Sequence, residues 1–329
     1  MAELTRKFWL ANPDGIMDAT PLTGSQLGEF RANSLQVAVY YTGPGEAIVI
    51  SQAKSCLLVD GGSGSETDRN DDLGDQLGKK LSGMNLKAIV ASHPHRDHTN
   101  FYHILAKKHT GLFSTTSRYF DNDTPPAERQ LNRLKEWLGD LPFKAFGIDD
   151  DESKDNQDRV PNFAPDTDIH MLRGTTSAKK DEPKKYWSIF MFLRYKKSWF
   201  LFTGDAYKSY EDQLLPRLEE INPYAHLLKI THHGSEHGTS PNLVLGLRPK
   251  ISVASTYSDG GHRLEEVVKH TLSSSKIYAT YDEVKTQNGG KRINRIDIFV
   301  RTDGEIRSQG NVEGVLFEIE TRKPSLLHD

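Results

Sequence analysis

The chain has 329 residues and a single cysteine, Cys56, so no disulfide can form within it. It contains no run of ~20 apolar residues, the length that a membrane-spanning helix needs, and its opening residues MAELTRKFWL are too polar for a signal peptide. It also lacks the basic surplus that is typical of proteins that coat nucleic acid, since its formal net charge is -3. These absences predict a cytoplasmic protein without a membrane partner, in which any contact with nucleic acid is confined to a local basic groove.

Short apolar segments and amphipathic segments alternate along most of the chain. Apolar runs of four to ten residues bounded by turn residues predict strands, and leucines that recur at every third or fourth position predict helices. The predicted strands lie at 35–41, 47–50, 55–60, 86–91, 186–195, 199–202, 227–230, 251–255, 277–280 and 293–300, and the predicted helices at 73–81, 127–138, 207–221 and 264–272. The pattern predicts one mixed α/β domain over residues 1–329 with an irregular insertion at about 110–185.

A cluster of potential metal ligands follows the predicted strand 86–91. Residues 93–98 read HPHRDH, which puts His93, His95, Asp97 and His98 within six positions. Imidazole and carboxylate groups suit zinc and similar first-row ions. Because one ion cannot easily take four ligands from so short a loop, we expect two adjacent ions, with the first two histidines on one and the aspartate and last histidine on the other. A chance cluster of polar loop residues is the alternative.

An aspartate follows another buried strand in the run FLFTGD. A carboxylate just past such a strand is costly unless it is paired or bound to metal, so Asp205 is a candidate to bridge two cations with one oxygen on each. The alternative is that it only caps the helix predicted at 207–221, where aspartate is favoured. The two motifs together favour the bridging role.

These motifs resemble those of the metallo-β-lactamase superfamily over residues 35–300, and in particular those of the hydrolase domain of the competence protein ComEC and its stand-alone relatives. The closer match lies in LLVDGG at 57–62, ASHPHRDHTN at 91–100, FLFTGDA at 200–206 and LLKITHHGSEHGTS at 227–240. The HHGS element is the most specific to that branch. The resemblance implies a four-layer αββα sandwich with metal ions at one edge, between the two sheets.

The resemblance also implies roles for residues outside the two motifs. Asp60 falls where the family has an aspartate that orients a metal-binding histidine. His262 falls where the family has its last metal ligand, although the surrounding SDGGHRLEE lacks the usual proline after the histidine. Many members carry a further ligand histidine between the two motifs, and His170 is the candidate to replace it here.

The HHGS element supplies candidates for proton transfer and substrate contact. Since adjacent side chains after a strand should diverge, we expect one of His232 and His233 to face the metals as a ligand or general acid and the other to pack elsewhere. Ser235 is a candidate contact for a phosphate oxygen. Two Zn²⁺ or Mn²⁺ ions would lower the pKa of a bridging water to near ~7, and Asp97 can take its proton as well as bind metal.

The predicted function is a metal-dependent phosphodiesterase or nuclease that acts on DNA or another nucleic acid through a metal-bridging hydroxide. Basic residues that could contact such a substrate are Lys107, Lys108, residues 179–185, residues 196–197 and residues 291–292. One alternative is a hydrolase of a small molecule, such as a cyclic nucleotide, lactone or thioester. Another is a metal-binding scaffold without catalysis, which the full ligand set argues against.

Overall fold

The structure is a computed structural model. It describes residues 8–9, 16–17, 19–21, 34–64, 69–93, 95–113, 117–121, 144–146, 163–172, 188–257, 264–282, 291–292, 295–301, 306–312 and 315–319. The strands are β1 (Phe8–Trp9), β2 (Ile16–Met17), β3 (Ala19–Pro21), β4 (Ser34–Tyr40), β5 (Ile48–Gln52), β6 (Ser55–Val59), β7 (Asn85–Ala91), β8 (Ser117–Asp121), β9 (Lys144–Phe146), β10 (Thr167–Leu172), β11 (Phe190–Tyr195), β12 (Ser198–Phe202), β13 (Leu227–Lys229), β14 (Ile251–Ala254), β15 (Lys276–Ala279), β16 (Tyr281–Asp282), β17 (Lys291–Arg292), β18 (Arg295–Arg301), β19 (Ile306–Val312) and β20 (Val315–Ile319). The α-helices of the same residues are α1 (Arg69–Ser82), α2 (Arg96–Thr99), α3 (Phe101–Lys108), α4 (Lys208–Ile221), α5 (Pro241–Leu247) and α6 (Glu266–Thr271), and Thr110–Phe113 and Thr231–Gly234 are 3₁₀ turns.

The larger sheet has ten strands in the order β3-β20-β19-β18-β4-β5-β6-β7-β8-β9. Its strands are antiparallel from β3 through β6, and β6, β7, β8 and β9 run parallel to one another. Strand β7 is almost wholly apolar, as expected of a parallel strand covered on both faces. Because β6 and β7 are parallel neighbours, the residues that follow them, Asp60 and Ser92-His93, come to the same edge of the sheet.

The smaller sheet has six strands in the order β10-β11-β12-β13-β14-β15. The first two pairings are antiparallel, and β12 to β15 run parallel. The carboxyl ends of β12, β13 and β14 therefore open at one edge. Asp205, the HHGS turn and Ser255 follow these three ends, so parallel pairing brings together residues that are far apart in sequence.

The two sheets face each other across the main hydrophobic core. Leu57 and Val90 of the larger sheet belong to the same buried cluster as Met191 and Phe200 of the smaller one. A second cluster joins the other face of the smaller sheet to α4, α5 and α6, and a third joins the other face of the larger sheet to α1 and α3. These layers form a helix-sheet-sheet-helix sandwich, which confirms the predicted mixed α/β sandwich.

Most of the predicted strands and helices that fall on described residues are present. The span at about 110–185, predicted as an irregular insertion, contains the strands β8, β9 and β10. The first two extend the larger sheet, and the third starts the smaller one. The helix predicted at 127–138 lies outside the described residues. The helix predicted at 207–221 is confirmed as α4. In the part of the chain that the structure describes, no helix combines the length and apolarity needed to span a bilayer.

Candidate metal centre

The HPHRDH segment is held by backbone hydrogen bonds to two neighbouring turns. Asp97 O accepts from Glu46 N at 3.0 Å, and His98 O accepts from Gly61 N at 2.7 Å. Gly62 packs directly against this backbone, since a Cβ there would lie 2.5 Å from Asp97 C. A residue with a side chain at this position would therefore push the loop out of place.

Asp60 organises the histidines of this loop. Its carboxylate is fully buried and accepts three hydrogen bonds, from Ser92 N at 2.7 Å, from Ser92 Oγ at 2.8 Å and from His98 Nδ1 at 2.8 Å. Because the Ser92 hydroxyl gives its proton to Asp60, it accepts from His93 Nδ1, which lies 3.0 Å away. Both imidazoles thus carry a proton on Nδ1, and in their neutral forms both present the lone pair of Nε2 to the site.

His233 reaches the same place from the smaller sheet. Its Nδ1 donates to Ser255 O at 3.0 Å, which leaves the lone pair of the neutral ring on Nε2. That atom lies 3.2 Å from His98 Nε2. Two nitrogen ligands on one tetrahedral zinc, each ~2.0–2.1 Å from the ion, lie roughly 3.3 Å apart. Two buried lone pairs that face each other at such a distance fit a shared cation.

A second pair of nitrogens converges beside the first. His93 Nε2 and His95 Nδ1 lie 2.9 Å apart. The Asp97 carboxylate belongs to the other pair, because its Oδ2 is 3.7 Å from both His98 Nε2 and His233 Nε2. The side chains thus gather in two groups, His93 with His95 and Asp97 with His98, and the binding of one ion by each group stays a prediction.

Asp205 lies between the two groups. Its Oδ2 is 3.8 Å from His93 Nε2, 3.2 Å from His98 Nε2 and 3.5 Å from His233 Nε2. Its Oδ1 is buried, makes no hydrogen bond among the described residues, and faces Lys229 Nζ at 3.7 Å. The two oxygens therefore have different surroundings, since a buried lysine lies on the side of Oδ1, and the binding of one ion by each oxygen stays a prediction.

The charges of the centre shift its proton equilibria strongly. Burial acts to lower the pKa of His98, but the carboxylates of Asp205, Asp60 and Asp97 outweigh it and hold that pKa well above its usual range. The same competition raises the pKa of His233 to about 9. Burial acts to raise the pKa of Asp205, but the surrounding histidines hold it well below its usual range. Without metal the centre therefore holds protons that a bound cation would displace.

Both histidines of the HHGS element approach Asp205. His232 Nε2 is 3.9 Å from Asp205 Oδ2, compared with 3.5 Å for His233 Nε2. The prediction that only one ring faces the site is wrong, because these residues do not continue the strand: both have left-handed φ angles, 52° and 55°. Their surroundings differ, since the His233 side chain is fully buried whereas that of His232 is 19% exposed and stacks on Tyr207. Burial, with smaller contributions from neighbouring cations, lowers the pKa of His232 to about 4.

Other predicted site residues lie elsewhere or outside the described residues. His170 lies on the outer face of the smaller sheet, where it contacts Asp168 and the Trp199 ring, so it does not replace a missing ligand. His262 lies outside the described residues. The Ser235 hydroxyl accepts from His237 N at 3.4 Å within the HHGS loop.

The basic residues predicted to contact substrate do not gather at the centre. Lys107 and Lys108 lie at the far end of α3 from the HPHRDH loop. Residues 196–197 precede β12 and so lie at the opposite end of the strand from Asp205, where Lys196 pairs with Asp166. Residues 179–185 lie outside the described residues, and the side chains of residues 291–292 are not described either.

Two charged residues of the site were not predicted from the sequence. Glu46, in the turn between β4 and β5, and Lys229, at the end of β13, form an ion pair of 2.5 Å with both side chains 1% exposed. Glu46 also belongs to a set of buried ligand atoms, with those of His98, Asp205 and His233, that all lie within 4.8 Å of one another. The sequence signal was the lysine inside the apolar run LLKI, which only a buried partner makes tolerable.

The similarity of this chain to known proteins lies in its three-dimensional structure. No family model matches the sequence, and no curated protein matches it. Similar solved structures include CmlA, a diiron β-hydroxylase from Streptomyces venezuelae, with a TM-score of 0.50 and 11% identity over 85% of this chain and 57% of that one. They also include the metallo-β-lactamase fold protein YhfI from Bacillus subtilis, with a TM-score of 0.47 and 15% identity over 74% of this chain and 95% of that one. The chain has the metallo-β-lactamase fold.

A third similar structure is the short form of human tRNase Z, with a TM-score of 0.44 and 17% identity over 66% of this chain and 91% of that one. At such identities the likeness concerns the fold alone. This chain spans little more than half the length of CmlA. The ComEC-like branch of the metallo-β-lactamase fold stays a prediction from the sequence motifs.

Proposed function

We propose that this chain is a metal-dependent hydrolase with two divalent ions, and that it cleaves phosphodiesters. The observation that carries the proposal is the pair of facing lone pairs on His98 and His233, whose second ring nitrogens are committed to Asp60 and to Ser255 O. A neutral imidazole whose Nδ1 is already a donor can offer only a lone pair at Nε2. Metal-binding histidines usually donate their second ring N–H to a carboxylate or a backbone carbonyl in this way.

Two groups of side chains would hold the two ions. His93 and His95 would hold one, Asp97, His98 and His233 would hold the other, and Asp205 would contribute to both. His262 stays a candidate for a further ligand. Asp60 orients His98 directly and His93 through the hydroxyl of Ser92.

The charge of the centre supports two cations rather than one. Four carboxylates, those of Glu46, Asp60, Asp97 and Asp205, surround a single lysine, Lys229. With the ligand histidines neutral, three net negative charges stay in a largely buried site. Buried charge of this size is costly without counter-ions, and one divalent ion would not offset it.

The chemistry divides between the bound ions and the side chains. When bound, Zn²⁺ or Mn²⁺ would lower the pKa of a water ligand to near ~7 and polarise a phosphoryl oxygen. Asp97, whose side chain is 19% exposed, can accept the proton of that water. His232 borders both Asp205 and solvent, so it is placed to exchange a proton with a departing alkoxide. Ser235 is the candidate contact for a phosphate oxygen.

The substrate class rests on the HHGS element and the ComEC-like motifs, which favour a phosphodiester of DNA or another nucleic acid. One observation favours the second candidate, a small phosphodiester or other small molecule. Lys107, Lys108 and Lys196, three of the residues predicted to contact a nucleic acid, lie away from the centre.

A metal-by-substrate screen tests the proposal. Metal-free protein is loaded with Zn²⁺ or Mn²⁺, and elemental analysis is expected to find two ions per chain. The loaded protein is then given bis-p-nitrophenyl phosphate, linear and circular DNA, single-stranded nucleic acid, cyclic nucleotides and a lactone. Phosphodiester hydrolysis that disappears with chelator supports the proposal.

Salt dependence separates the two substrate classes. Contacts to many phosphates of a polymer cause a steep loss of affinity between 50 and 200 mM salt, on the order of 10³-fold or more, whereas one small phosphodiester should show little loss. Lactone hydrolysis without phosphodiester hydrolysis contradicts the proposed reaction. A chain that stays metal-free contradicts the metal centre itself.

A further inference from the structure

Lys229 is a fully buried cation directly behind the metal centre. Its Nζ lies 2.5 Å from Glu46 Oε2, 2.9 Å from Gly204 O and 3.7 Å from Asp205 Oδ1. An ammonium group has three protons to donate and no lone pair. The ammonium group therefore pairs with Glu46, donates to the carbonyl oxygen of the residue before Asp205, and faces Asp205 Oδ1 as an ionic neighbour beyond hydrogen-bond distance.

This placement makes the two oxygens of Asp205 unequal. Oδ1 faces the ammonium group, and Oδ2 faces the imidazole nitrogens of His93, His98 and His233 at 3.2 to 3.8 Å. Rotation of the carboxylate about its axis would move Oδ1 away from the only cation that the described residues place beside it. Lys229 thus favours the orientation of the Asp205 carboxylate in which Oδ2 is directed at the histidine nitrogens.

We propose that Lys229 is a positioning residue, which fixes Asp205 so that Oδ2 alone is offered to both metal ions, and that Glu46 is the counter-charge that keeps this lysine in place. The inference rests on the proposed function. It assigns no direct contact between Lys229 and substrate.

Stability alone gives no reason for the pair. Taking two charges out of water is costly, and replacing a buried ion pair by uncharged side chains of similar size is often neutral or even stabilising. The Glu46–Lys229 pair also spans the two sheets, between the β4–β5 turn and the end of β13. A charged pair at this junction is better explained by its effect on the adjacent Asp205.

Three variants separate positioning from a merely structural role. Lys229→Met leaves Glu46 buried without its counter-ion, so it should unfold readily whichever role is correct. Glu46→Gln with Lys229→Met removes both charges, whereas Glu46→Gln alone keeps the ammonium group next to Asp205. The same two substitutions at the surface pair Glu266 and Lys269, 3.1 Å apart, are the matched control.

The measurements are the unfolding midpoint of metal-free protein, the affinity for Zn²⁺ by titration, and hydrolysis of bis-p-nitrophenyl phosphate. We expect the double variant to match the wild type in metal-free stability but to bind Zn²⁺ about 10–100-fold more weakly, the usual effect of losing a partner of a metal ligand. Glu46→Gln alone should lose less metal affinity than the double variant, because the ammonium group stays next to Asp205, and the surface control should bind Zn²⁺ within about threefold of the wild type.

Three results would overturn the inference. A double variant with wild-type metal affinity shows that the pair is structural. If the double variant does not fold, Glu46→Gln alone decides: a loss of metal affinity of about 10–100-fold there assigns the effect to Glu46 rather than to Lys229. If the wild-type protein binds no Zn²⁺, the proposed function and this inference are both overturned. The titration of the wild type distinguishes this outcome from a loss of affinity in the variants alone.

Discussion

Asp60→Asn replaces one carboxylate oxygen by an amide nitrogen and leaves the shape of the side chain nearly unchanged. The asparagine oxygen can still accept from Ser92 N. The new NH₂ group, however, faces Ser92 Oγ and His98 Nδ1, which are both donors to the aspartate. For these contacts to survive, each partner must turn its proton elsewhere.

The consequence reaches both groups of ligands. His98 would accept at Nδ1 and carry its proton on Nε2, which points at His233. The Ser92 hydroxyl would accept from the amide and donate to His93 Nδ1, so that His93 would also carry its proton on Nε2. One substitution thus turns two lone pairs away from the metals.

The expected magnitudes follow from these contacts. Loss of a partner of a metal ligand usually costs 10–100-fold in metal affinity, and we expect at least about 100-fold because two ligands are affected. Two hydrogen bonds to a buried carboxylate, each worth roughly 1.5–3 kcal/mol, would also be replaced by hydrogen bonds between neutral groups, each worth roughly 0.5–1.5 kcal/mol. The metal-free protein should therefore be less stable by on the order of 3 kcal/mol.

The assay combines Zn²⁺ titration, urea unfolding in the presence of chelator, and long-range proton–nitrogen NMR, which reports the nitrogen that carries the proton in each imidazole. Asp75→Asn is the matched control, because Asp75 Oδ1 lies 3.0 Å from His109 Nε2 in an aspartate–histidine pair away from the centre. It should leave metal affinity unchanged. If Asp60→Asn keeps wild-type metal affinity and the Nδ1–H tautomers of His93 and His98, the reasoning is wrong.

Three further predictions follow from single contacts. Asp205→Asn should remove metal and turnover while the chain stays folded, since a neutral amide cannot offset two cations; retained metal content by elemental analysis would make Asp205 a mere helix cap. Gly62→Ala places a Cβ 2.5 Å from Asp97 C and should cost about 1–3 kcal/mol in urea unfolding, whereas Gly111→Ala, with nothing within 4 Å, should not. Burial raises the pKa of Glu211 from 4.5 to about 7, so the folded state binds this proton more tightly than the unfolded state, and its contribution of about 3 kcal/mol is present below pH 4.5 and lost as pH rises through 7. Glu211→Gln should flatten that part of the pH profile of unfolding free energy, and parallel profiles for the two proteins would refute the assignment.

The candidate ligands could be named from the sequence because most of their chemistry is local. Four potential ligands in six residues after an apolar strand predict a metal loop, and FLFTGD indicates Asp205 in a similar way. Apolar runs likewise predicted β4 to β7 and β18 of the larger sheet and β11 to β15 of the smaller one, since a strand covered on two faces has to be apolar along its length. The four-layer sandwich was implied by the resemblance to the metallo-β-lactamase superfamily.

Local patterns failed where a residue's role depends on backbone conformation or on the face of a strand. The two histidines of HHGS were expected to diverge as in a strand, yet their left-handed φ angles turn both rings toward Asp205. His170 was a candidate ligand by its place in the chain, yet its register in β10 puts it on the outer face of the sheet, beside Trp199. A shift of one residue in register would have reversed that outcome.

The sequence by itself determined which residues can bind metal, because ligand chemistry and motif spacing are local properties. Only the tertiary structure decided which of their atoms meet. Glu46 and Lys229 come from different sheets, and although the lysine in LLKI requires a buried partner, nothing near it in sequence identifies Glu46 as that partner. Their contact, and with it the orientation of Asp205, arises from the parallel pairing of β12 with β13 and the packing of one sheet on the other. Long-range pairing of this kind is set by topology, which a local pattern does not encode.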